Sequence, residues 1–332
     1  MAEVTTADST AAGEPGAGRS GGFDLDFPRA HGALPGTAGF RRSSAHFRVD
    51  EELGFAPDGD GEHLYLQVRK TDQNTRWVAR LLAEHFAVDA AVVGYSGLKD
   101  RHAITVQWFS VQLPGGSAVP ELPALEGCEI LAAGRHPRKL RPGSHRRNHF
   151  VIRLSDFEGD RAALVERLAC IARHGVPNYF GEQRFGIGGG NLREVERILA
   201  ARSPRFKGNK GGLYLSAARS WLFNQVLAAR VLDGSWLEED AEGPLWGRGR
   251  PRVAEDVAGY EAAVLAAWQP WCDALEHSGL RQERRPLALS VEDLCWHWED
   301  DDLVLGFSLP PGCYATALLR ETAVLTLSEA MV

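Results

Sequence analysis

The sequence contains few cysteines, and none of them forms a motif. Five are scattered through the 332 residues without a single CxxC spacing: Cys128, Cys170, Cys272, Cys295 and Cys313. This distribution argues against a zinc knuckle and against a redox dithiol. Unpaired thiols in a reducing cytoplasm are the simplest interpretation, and a cytoplasmic protein is expected.

The sequence also lacks the patterns typical of membrane, nucleotide-binding and metal proteins. No apolar run approaches the roughly 20 residues of a membrane-spanning helix. The GxxxxGK[ST] phosphate loop, the HExxH metal pattern and the GxSxG nucleophile elbow are all missing. The glycines of residues 186–190 do not have the GxGxxG spacing of a dinucleotide fold. We therefore expect no membrane, no metal and no cofactor, so that any chemistry must come from ordinary side chains.

The first 22 residues have little apolar character. They are mainly Ala, Gly, Ser and Thr around Glu3, Asp8 and Glu14, and Arg19 is the first basic residue. A signal peptide has a basic start and an apolar stretch, and this segment has neither. Because such a composition cannot offset its own ordering entropy, we expect residues 1–22 to be a disordered tail.

Charge is unevenly distributed along the chain, whose net charge is −7. Residues 135–153 read RHPRKLRPGSHRRNHFVIR and contain no carboxylate, and residues 200–220 form a second acid-free stretch. Acidic residues concentrate at 238–240 and 299–302. The pattern fits a protein that binds phosphates, although solvated basic loops explain the charge equally well. If RNA is bound, its backbone is expected to contact Arg135, Arg138, Lys139, Arg146 and Arg147.

Apolar spacing predicts a mixture of strands and helices. Strands are predicted at residues 63–68, 104–113, 150–154 and 303–309. Helices are predicted from Asn74 or Thr75, from Asp160, from Ser216 and over about 255–268. Trp77 is expected on the apolar face of the first helix. Since strands and helices do not alternate as βαβ units, the predicted class is α+β with a mixed, largely antiparallel sheet.

The most informative stretch is GYSGLKDRHAITVQW, residues 94–108. A glycine-bearing turn presents Lys99, Asp100, Arg101 and His102 just before an apolar strand. A loop fixed by a strand is a suitable mount for a catalytic group, and cations beside Asp100 favour its charged form. From the residues alone, however, an aspartate in a surface turn is more often structural than catalytic.

This stretch resembles the G-x-K-D-x-x-A-x-T-x-Q signature of the TruD family of tRNA pseudouridine synthases. Other segments resemble further blocks of the same family: RNHF at 147–150, NYFGEQRFG at 178–186, LSAARS at 215–220, and PG-x-YAT with Arg320-Glu321 near the C terminus. The similar blocks extend from about residue 40 to about residue 321. Residues 1–22 and 234–280 have no convincing counterpart.

The resemblance implies an enzyme that isomerises uridine to pseudouridine in tRNA, most often at position 13 in the D arm, and needs no cofactor. It implies Asp100 as the nucleophile, with Arg41 beside it where the family commonly has Lys. Asn148 could donate to and accept from the uracil edge, and the aromatic residues could enclose the base. The residues expected to contact the substrate are Arg41, Phe47, Lys99, Gln107, Asn148, Phe150 and Tyr314, the last where the family usually has Phe.

The resemblance also implies a discontinuous catalytic domain, residues 23–174 plus 289–332, interrupted by a family-specific insertion at residues 175–288. The two parts would form a cleft for tRNA, and a monomer is expected. The alternative is a non-catalytic protein that binds structured RNA, which would share the basic loops and aromatics without needing Asp100. A hydrolase of glycosidic bonds would need a second carboxylate, and the sequence shows no evident partner for Asp100.

Overall fold

The computed structural model describes residues 22–115, 118–201, 206, 208, 210–239, 241–250 and 252–327. The predicted tail, apart from Gly22, lies outside the described residues. Within the described ranges, no helix combines the length and the apolar character needed to cross a bilayer.

Regular structure covers most of the described chain. The strands, β1 to β14 in chain order, are Gly36–Phe40, Phe47–Glu52, His63–Thr71, Val93–Tyr95, Ile104–Gln112, Cys128–His136, Arg147–Gly159, Val176–Pro177, Glu242–Leu245, Glu283–Pro286, Ala288–Leu289, Glu292–Glu299, Asp302–Leu309 and Val324–Leu327. The helices, α1 to α7, are Thr75–His85, Arg161–His174, Gly190–Leu199, Gly211–Asp233, Glu255–Leu265, Gln269–Glu276 and Ala315–Leu319.

One large sheet organises the fold. Its main path is β12-β13-β7-β2-β5-β3-β6, with β4 on β5 and with β1 bonded to both β7 and β14. The pairings β2–β5 and β1–β14 are parallel and the others in this sheet are antiparallel. The predicted α+β class and mixed sheet are therefore confirmed, and each predicted strand falls on an observed one.

The helix starts follow capping chemistry. The Asn74 side chain accepts from the Arg76 N–H at 2.8 Å and begins α1, and Asp160 accepts from the Ala163 N–H at 3.0 Å and begins α2. Helix α4 begins at Gly211, five residues before the predicted Ser216. The prediction for Trp77 was wrong: the residue is 44% exposed, because α1 packs through Val78, Leu82 and their neighbours.

The segment between Val176 and Leu289 is mostly helical and has its own apolar cluster. Trp221 and Phe223 of α4 belong to it, and both are buried. The N-terminal segment also packs here, since the Phe27 ring stacks on Tyr179 with centroids 5.1 Å apart. The short strands β8 and β11 pair where this segment leaves and re-enters the sheet part. The helical segment is thus tied to the sheet part at both of its ends.

A close backbone approach fixes one loop beside the sheet. A Cβ on Gly94 of β4 would lie 2.3 Å from the Leu140 carbonyl oxygen, so only glycine fits there. The Ser110 hydroxyl accepts from the Leu140 N–H at 2.9 Å. These contacts hold residues 138–144 against β4 and β5.

A lysine is fully buried on β3. Lys70 Nζ donates to the Gln73 carbonyl at 2.7 Å and to the Asp100 carbonyl at 3.0 Å. Its burial lowers the pKa of Lys70 to about 8, and the nearby Asp100 charge opposes this shift only in part. The ammonium therefore supports the backbone of the 97–100 loop, while its burial opposes folding whenever the amine is protonated.

This burial predicts a pH dependence of stability. The pKa of Lys70 is near its ordinary 10.5 when unfolded and about 8 when folded, so the unfolded chain binds more protons between these values. The free energy of unfolding of the wild type, relative to Lys70→Met, should therefore rise as pH increases from 8 to 10.5. Chemical denaturation of both proteins at the two ends of this window measures the difference. A difference that does not change with pH would contradict the assignment.

Candidate active site

A cleft of about 720 Å³ opens where β2 and β7 meet the 96–101 loop and the segment before α7. Gln183 of the helical segment also lines it. Most of the predicted site residues are brought together here: Arg41, Phe47, Lys99, Asp100, Asn148, Phe150 and Tyr314.

Asp100 is held by one arginine. Arg41 Nη2 donates to Asp100 Oδ2 at 2.8 Å, and 39% of the Asp100 side chain remains exposed to the cleft. The Arg41 guanidinium lies 4.0 Å from the centroid of the Phe47 ring, which fixes its plane. Arg41 itself has a left-handed backbone, with φ of 57°. The carboxylate is thus oriented by a preformed cation while keeping a face open.

The cation next to Asp100 in sequence has a different partner. Lys99 Nζ lies 2.8 Å from Glu51 Oε2, and both side chains are buried. Glu51 Oε1 also accepts from the Ser96 hydroxyl and from the Trp108 N–H, each at 3.1 Å. The ion pair and the two hydrogen bonds of Glu51 are therefore all made with other residues of the protein.

Sequence reasoning missed Glu51. The signal was present: Phe47, Val49 and Glu51 alternate along β2, and all three point to the buried side. An acid on the apolar face of a strand implies a buried cation near it, which here is Lys99. Glu51 is a second carboxylate close to the cleft, and its ion pair and two hydrogen bonds tie it to the protein interior.

Asn148 is held in one orientation. Lys99 Nζ lies 2.5 Å from one amide atom of Asn148, and since an ammonium can only donate, that atom must be Oδ1. Nδ2 then lies 3.0 Å from His145 Nε2. Burial lowers the pKa of His145, which favours the neutral ring whose Nε2 can accept this hydrogen bond. The orientation of the amide is therefore fixed, and Nδ2 keeps a second N–H on a residue that lines the cleft.

Aromatic rings form two walls of the cleft. The Phe47 and Phe150 rings meet edge to face at 6.2 Å, and Phe150 stacks on Phe307 at 5.0 Å. Both cleft rings also belong to the sheet core. On the opposite side, the Tyr314 hydroxyl accepts from Arg184 Nη2 at 2.5 Å. The hydroxyl at this position therefore has a partner in the helical segment.

Gln107 was predicted to contact the substrate, and the structure corrects this. Its side chain is fully buried, accepts from Thr75 Oγ1 at 2.8 Å and donates to the Gly97 carbonyl at 3.2 Å. Thr75 Oγ1 in turn accepts from the Lys99 N–H at 3.0 Å. Gln107 thus supports the loop that carries Asp100 and lies outside the cleft lining.

Arg135 is a second correction. Only 4% of it is exposed, and its guanidinium donates to the carbonyls of Leu113 and Ala118. Both carbonyls lie in the connection after β5, and the buried guanidinium that binds them cannot reach an RNA phosphate.

The other predicted backbone contacts lie at the surface. Arg138, Lys139 and Arg146 are exposed. Arg146 lies 3.2 Å from Glu52, while Arg147 is largely covered and lies 2.6 Å from Glu292. In the second acid-free stretch, the positively charged residues Arg202, Arg205 and Lys207 lie outside the described residues.

The cysteines and possible metal ligands were also located. All five cysteines are free thiols. Among the described residues, His, Cys, Asp and Glu form no group of three or more that could hold a metal ion.

Comparison with known proteins identifies the family. The family model for tRNA pseudouridine synthase D (TruD) matches residues 32–207 and 267–322. The chain is 49% identical to the tRNA pseudouridine synthase D of Cellvibrio japonicus, with 90% of this chain and 93% of that protein covered. It is 45% identical to that of Methylococcus capsulatus, with 90% and 94% covered.

The fold has a counterpart among solved structures. A Methanosarcina mazei crystal structure, provisionally assigned to tRNA pseudouridine synthase D, superposes with a TM-score of 0.68 over 89% of this chain and 95% of that one. Its sequence identity is 17%, so this likeness concerns the fold alone. The family model and the sequence relatives show that the chain belongs to the tRNA pseudouridine synthase D (TruD) family.

Proposed function

We propose that this protein isomerises uridine to pseudouridine in tRNA, at position 13 of the D arm, with Asp100 as the nucleophile. The observation that carries the proposal is a partly exposed carboxylate, clamped by Arg41 at 2.8 Å, in a cleft with aromatic walls. Family membership supports pseudouridine formation as the reaction, and the geometry supports Asp100 as the nucleophile.

The reaction requires a carboxylate and a held base. The bond between uracil N1 and the sugar breaks, the base turns, and C5 bonds to the sugar. C5 then gives up its proton and N1 gains one, so the product is an isomer of the substrate with no net oxidation. Asp100 either adds to the nucleoside or removes a proton from it, and both routes need a carboxylate fixed in orientation. The target must leave its stack to reach Asp100, and the Phe47, Phe150 and Tyr314 walls can receive it.

The arrangement disfavours a glycosidic-bond hydrolase. Such an enzyme uses two carboxyl groups facing the same bond. Here Glu51 is buried in an ion pair with Lys99, so Asp100 acts without a carboxylate partner of that kind. A binding protein without chemistry would have no need for the Arg41–Asp100 pair.

We further propose that Asn148 selects uridine over cytidine. Its Oδ1 already accepts from Lys99, and its Nδ2 keeps one N–H beyond the His145 contact, which we assign to the base. Uracil carries an acceptor oxygen at position 4, where cytosine carries a donor amino group. One N–H directed at that position accepts the first base and repels the second.

The two parts of the chain are proposed to be a catalytic domain, residues 23–174 plus 289–332, and an insertion, residues 175–288. The β8–β11 pairing at both junctions supports these limits. Arg184 joins the parts across the cleft, since it donates to Tyr314 and to Ser216 Oγ. The tRNA is proposed to enter between them.

The nucleophile is tested with Asp100→Asn, which keeps the shape and removes the charge. Single-turnover pseudouridine formation should fall by at least ~10³, while tRNA affinity stays within a few-fold of wild type. Arg41→Ala should slow the reaction less, because Arg41 orients the carboxylate and forms no bond with the substrate. A near-wild-type rate for Asp100→Asn would refute the assignment, and a loss of folding would make Asp100 structural.

The base-reading role is tested with Asn148→Asp, which keeps an acceptor for Lys99 and removes the N–H. Turnover of uridine should fall by about 10- to 100-fold, as expected when one hydrogen bond to the substrate is lost. Binding of a tRNA with cytidine at the target position should improve relative to the uridine form. Rates and affinities on the two tRNAs give both results.

Gln183→Glu is the matched control, since it adds the same charge to an amide that lines the same cleft. If charge alone mattered, both variants would lose activity and neither would change the preference between the bases. An unchanged preference in Asn148→Asp would therefore exclude this role for Asn148.

A further inference from the structure

Cations with few acidic neighbours line a depression beside the cleft. It measures about 530 Å³ and lies between α1, the turn before β4 and the 138–144 loop. Its four basic residues, here called the α1 basic surface, are Arg76, Arg80, Lys139 and Arg141. No Asp or Glu lines it among the described residues.

The nearby carboxylates leave this charge largely uncompensated. Glu84 lies 3.7 Å from Arg80, with both side chains more than half exposed, so the pair is weak. Asp89 accepts from the Ala91 N–H at 2.7 Å and caps the turn there. Arg76 and Arg141 are exposed.

The surface is preorganised. The Arg80 guanidinium lies 4.2 Å from the centroid of the Trp77 ring, which holds it against the helix. Lys139 Nζ donates to the Ala91 carbonyl at 2.5 Å and ties the loop to the turn before β4. The exposure of Trp77 was unexpected from its place in an amphipathic pattern. Its indole ring holds the Arg80 guanidinium at the protein surface.

The surface is connected to the active-site cleft. Asn74, which caps α1, and Gly143, which follows Arg141 in the loop, both line the cleft. Arg76 and Arg80 follow along α1, one helical turn apart. If a nucleotide of a bound nucleic acid lies in the cleft, the phosphates next to it in the backbone would lie near these basic side chains.

We propose that the α1 basic surface binds backbone phosphates of the tRNA that flank the target nucleotide. The proposal rests on the proposed function for the identity of the RNA. It adds Arg76, Arg80 and Arg141 to the backbone contacts expected from the sequence. It also implies that Arg147 contributes less to RNA binding, because Arg147 is paired with Glu52 and Glu292.

Salt-dependent binding to unmodified tRNA tests the proposal, measured in an Asp100→Asn background so that turnover does not enter. Arg76→Gln with Arg80→Gln should weaken affinity by about tenfold at low salt. It should also reduce the slope of log affinity against log salt by about 1.4 to 1.8, since two phosphate contacts are lost. Arg141→Gln alone should reduce the slope by about half as much.

Two controls make the result specific. Arg76→Lys with Arg80→Lys keeps the charge and should retain the slope. Arg193→Gln with Arg197→Gln removes two arginines at the same spacing on α3, where Arg197 is paired with Glu194. This pair should leave the slope near wild type if position, and not net charge, decides binding.

An unchanged slope in Arg76→Gln with Arg80→Gln would overturn the proposal, and so would an equal loss in the α3 control. If the Gln variants fold poorly, the retained slope of the Lys variant and the response of Arg141→Gln still decide the matter. A wild-type protein that binds tRNA with the predicted slopes but forms no pseudouridine would refute the proposed function and leave this surface standing.

Discussion

The loop from Gly97 to Asp100 is held from inside the protein, and the cleft depends on that support. Gln107 binds the Gly97 carbonyl, Thr75 binds the Lys99 N–H, and Lys70 binds the Asp100 carbonyl. The backbone that carries Asp100 is therefore anchored to β3, to the start of α1 and to β5. Because these contacts are buried, the side chain of Asp100 can face the cleft without being needed for stability.

The two cations of the site, Lys99 and Arg41, have different partners and different roles. Lys99 is turned inward to Glu51 and fixes Asn148, whereas Arg41 reaches Asp100 from the end of β1. One cation orients the proposed reacting group and the other orients the proposed base-reading group. Turning Lys99 towards Asp100 would leave Glu51 as a buried carboxylate without its cation, which is strongly unfavourable.

Much of this was predictable from the sequence. Alternating apolar residues placed the strands, caps such as Asp160 placed helix starts, and the family signature singled out Asp100. What the sequence did not provide was the direction of individual polar side chains. Arg135 belongs to a basic stretch yet donates to two loop carbonyls, and Gln107 belongs to the signature yet supports the loop that carries Asp100. Such roles depend on contacts between residues distant in sequence.

The most direct measurement is to incubate the wild-type protein with unmodified tRNA and map pseudouridine by mass spectrometry after carbodiimide labelling. The proposed function predicts product at uridine 13 of the D arm with wild type and none with Asp100→Asn. Product confined to the anticodon arm or the T loop would reject the proposed position. No pseudouridine in any tRNA tested would contradict the central claim and favour an RNA-binding protein without this chemistry.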